Sequence, residues 1–310
     1  MSFSTPSRCR KGIKMSTLIR DMSRSDIDRV GEILYDAFTG CAAKYGYPPV
    51  MHTLQEAKAW AWAMSRYVSS EGIVAEVDGR VVGVVFLNKR GDLGGAGPMA
   101  IDPEFQGKAV APKLMEVLLE RAEGLSSLRC VQEAFNPTSF SFQYAYDFMP
   151  VADLLDLVLN GRARQNPQLH SDVSELTAEG LDELCSYDMP RSHFDHRTDL
   201  AYFIRWGKVL VYRDAGEIRG YLACLPGTGA TQLGPLLAGG EEVAENLFTH
   251  ALALFKDRPC RTRVMARDGR FARTLMKLGF RLYCVSLLMV RGTWRPGQNI
   301  EAFGRFPEGV

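Results

Sequence analysis

The residues best suited to chemistry lie in one short stretch, from Gly97 to Ala111. Its composition predicts an apolar strand, a proline-marked turn, a loop of small residues and the start of a helix. Small residues such as Gly107 let the backbone approach a ligand closely, and the first turn of a helix leaves backbone N–H groups without partners. Together these features suit an anion, in particular a pyrophosphate. An ordinary strand-to-helix connection has a similar composition, so the loop alone leaves both interpretations open.

A second set of polar side chains follows at Asn136, Ser139 and Gln143. Their spacing of three and four residues places them on one face of a helix predicted over 137–146. Gln143 can donate a hydrogen bond but cannot deliver a proton, whereas the next residue, Tyr144, carries a phenol. Tyr144 is therefore either a proton donor or a half-buried packing residue, and packing is the commoner role.

The first stretch resembles the cofactor loop of the GNAT N-acetyltransferase superfamily. The family pattern is Gln/Arg-x-x-Gly-x-Gly/Ala after an apolar-x-Pro turn, and it is matched from Gln106 to Ala111 after Ile101 and Pro103. Ala109 departs from the pattern, because the family has its first glycine there. If this position needs a positive φ, the methyl group costs about 1 kcal/mol.

The second stretch is similar to the family motif Asn-x-x-Ser/Ala-x-x-Leu-Tyr-x-x-x-Gly-Phe. Asn136, Ser139, Phe142 and Phe148 fall on matching positions, whereas Gln143 replaces the tyrosine that often protonates the leaving thiolate in the family. The resemblance implies that the loop amides bind the coenzyme A pyrophosphate and that the preceding strand pairs with the pantetheine arm. The implied cofactor-binding residues are Met99, Ala100, Ile101, Gln106, Gly107, Lys108, Ala109, Val110, Ala111, Asn136, Ser139, Phe142 and Gln143, and the implied catalytic residues are Asn136 and Tyr144.

The implied function is an acetyl-CoA-dependent N-acetyltransferase that transfers the acetyl group directly to a small amine, with acetyl-CoA as co-substrate and no metal. A base must accept the proton of the amine. Asp92, Glu133 and a water chain are the candidates, and the segment from Thr39 to His52 is expected to line the acceptor pocket. The alternative is a non-catalytic acyl-CoA-binding or interaction protein, which Ala109 and Gln143 favour.

The chain also contains a degenerate internal repeat. The hairpin at 77–83 has a counterpart at 213–220, and Gly97-Pro98-Met99 is matched by Gly234-Pro235-Leu236. The loop that corresponds to the pyrophosphate site is Gly239-Gly240-Glu241-Glu242 in the second copy. Two carboxylates would repel a pyrophosphate, so we expect only the first copy to bind coenzyme A.

The repeat and the resemblance predict an α+β fold of two GNAT-like domains, each a mixed, mostly antiparallel sheet flanked by helices. The predicted divisions are a disordered leader at 1–14, a first domain at 15–160, a linker at 161–171, a degenerate second domain at 172–292 and a tail at 293–310.

Composition limits the partners. The chain has 310 residues with a net charge of +1, 46% hydrophobic and 24% charged residues, which gives no sign of nucleic-acid or membrane binding. No apolar run approaches the ~20 residues that a membrane span needs. The seven cysteines form no Cys-x-x-Cys pair, which favours free thiols in a reducing compartment, so we expect a cytoplasmic protein. We also expect a monomer or homodimer. His193 and His196 form the only histidine cluster, and a hydrogen-bonded loop is favoured there over a metal site.

Overall fold

The computed structural model describes residues 16–49, 51–66, 70–163, 167–193, 195–295, 297 and 299–303. The predicted leader lies outside these residues, as do parts of the predicted linker and tail. We refer to residues 16–163 as the first half and to residues 167–303 as the second half.

The described residues of the first half form six strands and four α-helices. The turn between the second and third strands, Asp78-Gly79, has positive φ at both residues, 50° and 78°, which suits the right-handed twist of the hairpin strands. The first helix continues to Lys44, and Ala42 in its last turn is buried. The elements are β1 (Thr17–Asp21), α1 (Ile27–Lys44), α2 (Leu54–Arg66), β2 (Ser70–Val77), β3 (Arg80–Arg90), β4 (Leu93–Ile101), α3 (Val110–Arg121), β5 (Ser127–Glu133), α4 (Pro137–Tyr144) and β6 (Met149–Leu159).

The second half repeats this succession. Its hairpin turn, Ala215-Gly216, has positive φ at both residues, 50° and 86°, like the hairpin of the first half. The Gly97-Pro98 and Gly234-Pro235 segments lie in equivalent strands, and both peptide bonds are cis. The elements are β7 (Val173–Glu175), α5 (Leu181–Ser192), α6 (Arg197–Trp206), β8 (Lys208–Asp214), β9 (Glu217–Pro226), β10 (Thr231–Ala238), α7 (Glu241–Leu254), β11 (Cys260–Met265), α8 (Gly269–Leu278), β12 (Arg281–Gly292) and β13 (Ile300–Phe303).

The two sheets are joined into one sheet of 13 strands, with the order β1-β2-β3-β4-β5-β12-β6-β11-β13-β10-β9-β8-β7. The halves exchange their long final strands. β12 of the second half pairs with β5 of the first half, and β6 of the first half pairs with β11 of the second half. The α+β class and the mixed, mostly antiparallel pairing are confirmed, but the sequence did not predict that the two sheets are continuous.

Helices cover both faces of this sheet. α1 and α2 pack on one face of the first half around Val30, Leu34 and Met64, and Tyr202 of α6 packs against the same cluster. α3 packs on the opposite face around Leu114 and Leu118. The ends of β4 and β5 therefore lie between α1 and α2 on one face of the sheet and α3 on the other.

Two neighbouring parallel strands separate in each half. β4 and β5 pair only from Leu93 to Gly95, and β10 and β11 pair only at Thr231 and Gln232. In the second half β13 lies in the resulting gap and pairs with both β10 and β11. In the described part of the first half no strand occupies the corresponding gap.

Candidate functional site

A cleft of about 1910 Å³ opens where β4 and β5 separate. It continues between the two halves, because α1 and α2 line one side and α6 and the β9–β10 connection line the other. Typical small-molecule pockets measure about 300–1000 Å³, so this cleft has room for two substrates.

The loop between β4 and α3 forms one end of the cleft. Gly107 and Ala109 both have left-handed backbone conformations, with φ of 74° and 58°. The first turn of α3 has no side-chain cap, which leaves its N–H groups available to an anion. Ala109 does have a positive φ, so the departure from the family glycine carries the strain expected of a methyl group in this conformation.

Asp102 holds the turn before this loop in place. Its buried carboxylate accepts hydrogen bonds from the Glu104 backbone N–H at 2.9 Å and from the Arg80 guanidinium at 2.8 Å, and it also contacts Arg29 of α1. The turn is therefore tied to both β3 and α1. The sequence gives no signal of this role for Asp102, because a lone aspartate before a proline is an ordinary turn residue.

The polar residues of α4 form the opposite wall. Asn136 caps the helix, since its Oδ1 accepts from the Ser139 N–H at 3.2 Å, and the Ser139 hydroxyl donates to Gln132 Oε1 at 2.6 Å. Gln143 is buried, and its Oε1 has no hydrogen-bond partner. A buried amide oxygen without a donor is costly unless a ligand or water supplies one.

Most of the predicted site residues line the cleft together. Two of them do not: the Lys108 ammonium lies 4.8 Å from the Phe105 ring, and Tyr144 is 48% exposed and stacks on Phe140. Tyr144 follows Gln143 by one residue and so points away from the face that Gln143 occupies. The residues that line the cleft are Met99, Ala100, Ile101, Gln106, Gly107, Ala109, Val110, Ala111, Asn136, Ser139, Phe142 and Gln143.

Of the two carboxylates considered as bases, Glu133 at the end of β5 lines the cleft. Asp92 lies in the β3–β4 turn, where its backbone carbonyl accepts from the Ser126 N–H at 2.7 Å, and it is not part of the lining. Burial, and next the charge of Glu133, raise the pKa of the neighbouring Cys41 thiol. Cys41 is therefore kept in the protonated form, which is a poor nucleophile.

The segment after α1 is held by aromatic and cross-half contacts. Tyr47 stacks on Phe135 with ring centroids 4.0 Å apart. The Tyr283 hydroxyl of β12 donates to the Pro48 carbonyl at 2.5 Å. This segment therefore forms a wall that the second half holds against the end of β5.

The second half also contributes Gln232 and Arg261 to the cleft. They are cross-strand partners in the β10–β11 pair, and Arg261 NH2 lies 2.8 Å from His52 Nε2. Neither residue could be assigned to the site from the sequence, because a polar residue in a strand carries no signal about which cavity it faces.

In the second half, the corresponding gap between β10 and β11 is occupied by β13. Leu237 of β10 pairs with Glu301, and Val264 of β11 pairs with Ala302. The helix that follows β10 begins with Glu241 and Glu242. The expectation that the second copy does not bind coenzyme A stays a prediction.

The described residues include no group of three or more His, Cys, Asp or Glu side chains that could hold a metal ion. None of their helices is long and apolar enough to cross a membrane.

Comparisons with known proteins agree with this arrangement. A sequence model of the Acetyltransferase (GNAT) family matches residues 28–142, and a model of an Acetyltransferase (GNAT) domain matches residues 195–304, so the two matches span most of the chain. A search of curated protein sequences gave no match.

Solved structures with this architecture cover nearly the whole chain. A putative acetyltransferase from Pyrococcus horikoshii is 16% identical with a TM-score of 0.74 over 93% of each chain. A GCN5-related N-acetyltransferase from Sphaerobacter thermophilus is 16% identical with a TM-score of 0.63, over 92% of this chain and 98% of that one. A tandem GNAT protein from the clavulanic acid biosynthesis pathway is 15% identical with a TM-score of 0.60, over 91% of this chain and 100% of that one. At these identities the similarity shows the fold alone.

Proposed function

This chain is a tandem member of the GNAT acetyltransferase superfamily, and we propose that its first half transfers the acetyl group of acetyl-CoA directly to the nitrogen of a small amine. The observation that carries the proposal is the contrast between the two gaps. Among the described residues no strand occupies the gap between β4 and β5, which leads to the uncapped start of α3, whereas β13 fills the gap between β10 and β11.

The residues of the open gap fit coenzyme A. Left-handed Gly107 and Ala109 turn the backbone so that the loop and first-turn amides can bind a pyrophosphate. Beyond Gly95 the edge of β4 has no β5 partner, so its main chain is available to the amides of the pantetheine arm. Acetyl-CoA supplies an activated thioester, and the protein has to align it with the amine.

Three groups of this chain serve the transfer. Glu133 accepts the proton that the ammonium of the acceptor must lose before its nitrogen attacks. A backbone N–H on the free edge of β4 stabilises the developing oxyanion. The side-chain amide of Gln143 donates a hydrogen bond to the leaving thiolate, which is protonated through water by the second proton that the nitrogen loses as the amide forms.

The test is the release of coenzyme A thiol when the full chain is given acetyl-CoA and a set of small amines. The proposal expects release that depends on the amine and is lost in Gly107→Asp, because a carboxylate would then stand among the pyrophosphate-binding amides. Release that does not depend on an amine would contradict acetyl transfer to nitrogen.

The alternative is a non-catalytic acyl-CoA-binding or interaction protein. Gln143 in place of the tyrosine acid, together with the outward position of Tyr144, favours this alternative. It predicts that acetyl-CoA binds with the same dependence on Gly107 but that no amine releases the thiol, even in the variant Gln143→Tyr.

A further inference from the structure

We infer that the acceptor amine also carries a carboxylate, and that Arg261 of the second half binds this carboxylate across the cleft. The inference rests on the proposed acyl transfer and adds the substrate class. It gives the second half a direct role in the site, although its own cofactor gap is filled.

The two walls of the cleft differ in charge. Every charged residue that the described part of the second half contributes to the lining is an arginine, at positions 197, 205, 261 and 263. The first half contributes the carboxylates of Asp36, Glu56 and Glu133 along with Lys44 and Arg66. Such a pair of walls orients an acceptor that has a cationic and an anionic end. Its amine points toward Glu133 of the first half, and its anionic end points toward the arginines of the second half.

Three of the four arginines have contacts that suit other roles. The buried Arg263 guanidinium donates to Asp156 Oδ1 at 2.7 Å, and Arg197 forms an exposed ion pair with Asp182, also at 2.7 Å. Arg205 lies over the Trp206 ring, 5.2 Å from its centroid. The Arg261 guanidinium contacts the Nε2 of His52, which holds the side chain beside the wall that follows α1.

Gln232 marks the same place as a polar subsite. It is the cross-strand partner of Arg261, it lines the cleft, and its Oε1 is buried without a hydrogen-bond donor. Together the two side chains offer a planar cationic donor for a carboxylate and an acceptor for a neighbouring N–H. A single guanidinium facing acidic residues suits a carboxylate better than a doubly charged phosphate.

The sheet sets the length of the acceptor. β12 and β6 lie between β5, which carries Glu133, and β11, which carries Arg261. Three interstrand spacings amount to roughly 14 Å across the strands, and Arg261 also lies four residues along β11 from Met265, the residue that the strand registers place level with Glu133. The side chains shorten this distance, but the reacting nitrogen and the carboxylate must still be separated by several carbon atoms.

The test compares 6-aminohexanoate with its neutral amide, 6-aminohexanamide. We expect kcat/KM for the carboxylate to exceed that for the amide by roughly tenfold or more, the scale of a hydrogen bond to a charged group. In Arg261→Gln this preference disappears through a higher KM for 6-aminohexanoate, with the KM for acetyl-CoA unchanged. Arg261→Lys keeps part of the preference, and the control variant Arg205→Gln keeps all of it.

The outcomes separate the two proposals. Equal turnover of the two amines by the wild type, or an equal loss for both in Arg261→Gln, overturns the carboxylate subsite and leaves acyl transfer standing. A preference for 2-aminoethyl phosphate over both also overturns it. If no amine is turned over, acyl transfer fails, and calorimetric titration of the coenzyme A-saturated protein with the two amines still decides whether Arg261 selects the carboxylate.

Discussion

Arg90 of β3 and Asp199 of α6 form a buried, bidentate ion pair between the two halves. The Nε–Oδ2 and NH2–Oδ1 distances are 2.5 and 3.1 Å, and both side chains are only 4% exposed. With the exchanged strands β6 and β12, this pair makes each half depend on the other for a complete structure.

The exchange predicts that the chain unfolds in one cooperative transition, whereas two independent domains would give two. Asp199→Ala leaves the Arg90 charge buried and should lower the free energy of unfolding by about 3–5 kcal/mol. Urea unfolding followed by circular dichroism measures both effects. The control is Asp257→Ala, which removes an exposed partner of Arg162 at 3.3 Å and should change stability by less than about 1 kcal/mol. Two separate transitions in the wild type would contradict the joined sheet.

Local patterns in the sequence predicted most elements but not the pairing of the final strands. The hairpin at 77–83 is specified by residues next to one another, so it was predictable. β6 and β12 are apolar strands of nearly equal length, and either could pair within its own half or with the other. β13 has only four residues, and nothing in their sequence indicates that they enter the gap between β10 and β11. These two strands begin about 70 and about 40 residues earlier in the chain, respectively.

The site was predictable to a similar degree and for the same reason. The small residues around Gly107 influence the backbone conformation of their own loop, so the loop before α3 could be inferred from the sequence. Arg261 of β11 and Gln232 of β10 line the cleft only because these two strands lie beside the first half in the tertiary structure. That placement depends on the tertiary structure and leaves no trace in local spacing.

Coenzyme A should stabilise the protein through the loop at Gly107 and not through the loop at Gly240. At a concentration of one hundred times the dissociation constant the gain is about 2.7 kcal/mol. Gly107→Asp should abolish this stabilisation. Gly107→Asn should keep most of it, because asparagine tolerates the left-handed conformation of this position and carries no charge. Gly240→Asp should leave it intact. Thermal denaturation with and without coenzyme A is the measurement, and equal losses in both aspartate variants would refute the assignment of the cofactor to the first half.

Glu133→Gln should lower kcat by about 10²–10⁴-fold at neutral pH, because the amide cannot accept the proton of the acceptor. Binding of acetyl-CoA should be unchanged, which calorimetry can check. Asp92→Asn is the matched control, since Asp92 lies outside the cleft, and its kcat should equal that of the wild type. Full activity in Glu133→Gln would leave the water chain as the route for the proton.

Gln143→Tyr should fold and raise turnover severalfold, because a phenol on the cleft face could protonate the leaving thiolate. Tyr144→Phe should have nearly wild-type kcat, because Tyr144 is half exposed and stacks on Phe140 outside the cleft. Steady-state rates of thiol release measure both. A loss of about a hundredfold in Tyr144→Phe would show that the tyrosine turns inward to act as the acid.

Stability should fall as the pH rises toward 8, because β13 carries a buried carboxyl group. Burial raises the pKa of Glu301 from its ordinary value of 4.5 to about 7, although Arg267 lies 3.1 Å away and opposes the shift. The folded state thus binds the Glu301 proton more tightly than the unfolded state, so between pH 4.5 and 7 the free energy of unfolding decreases as the pH increases. The full decrease from this group is about 3 kcal/mol. Urea titrations at pH 5 and pH 8 should therefore show a larger difference for the wild type than for Glu301→Gln, which cannot ionise. Equal differences in the two proteins would mean that the Glu301 carboxyl group is ionised within the gap between β10 and β11 throughout this pH range.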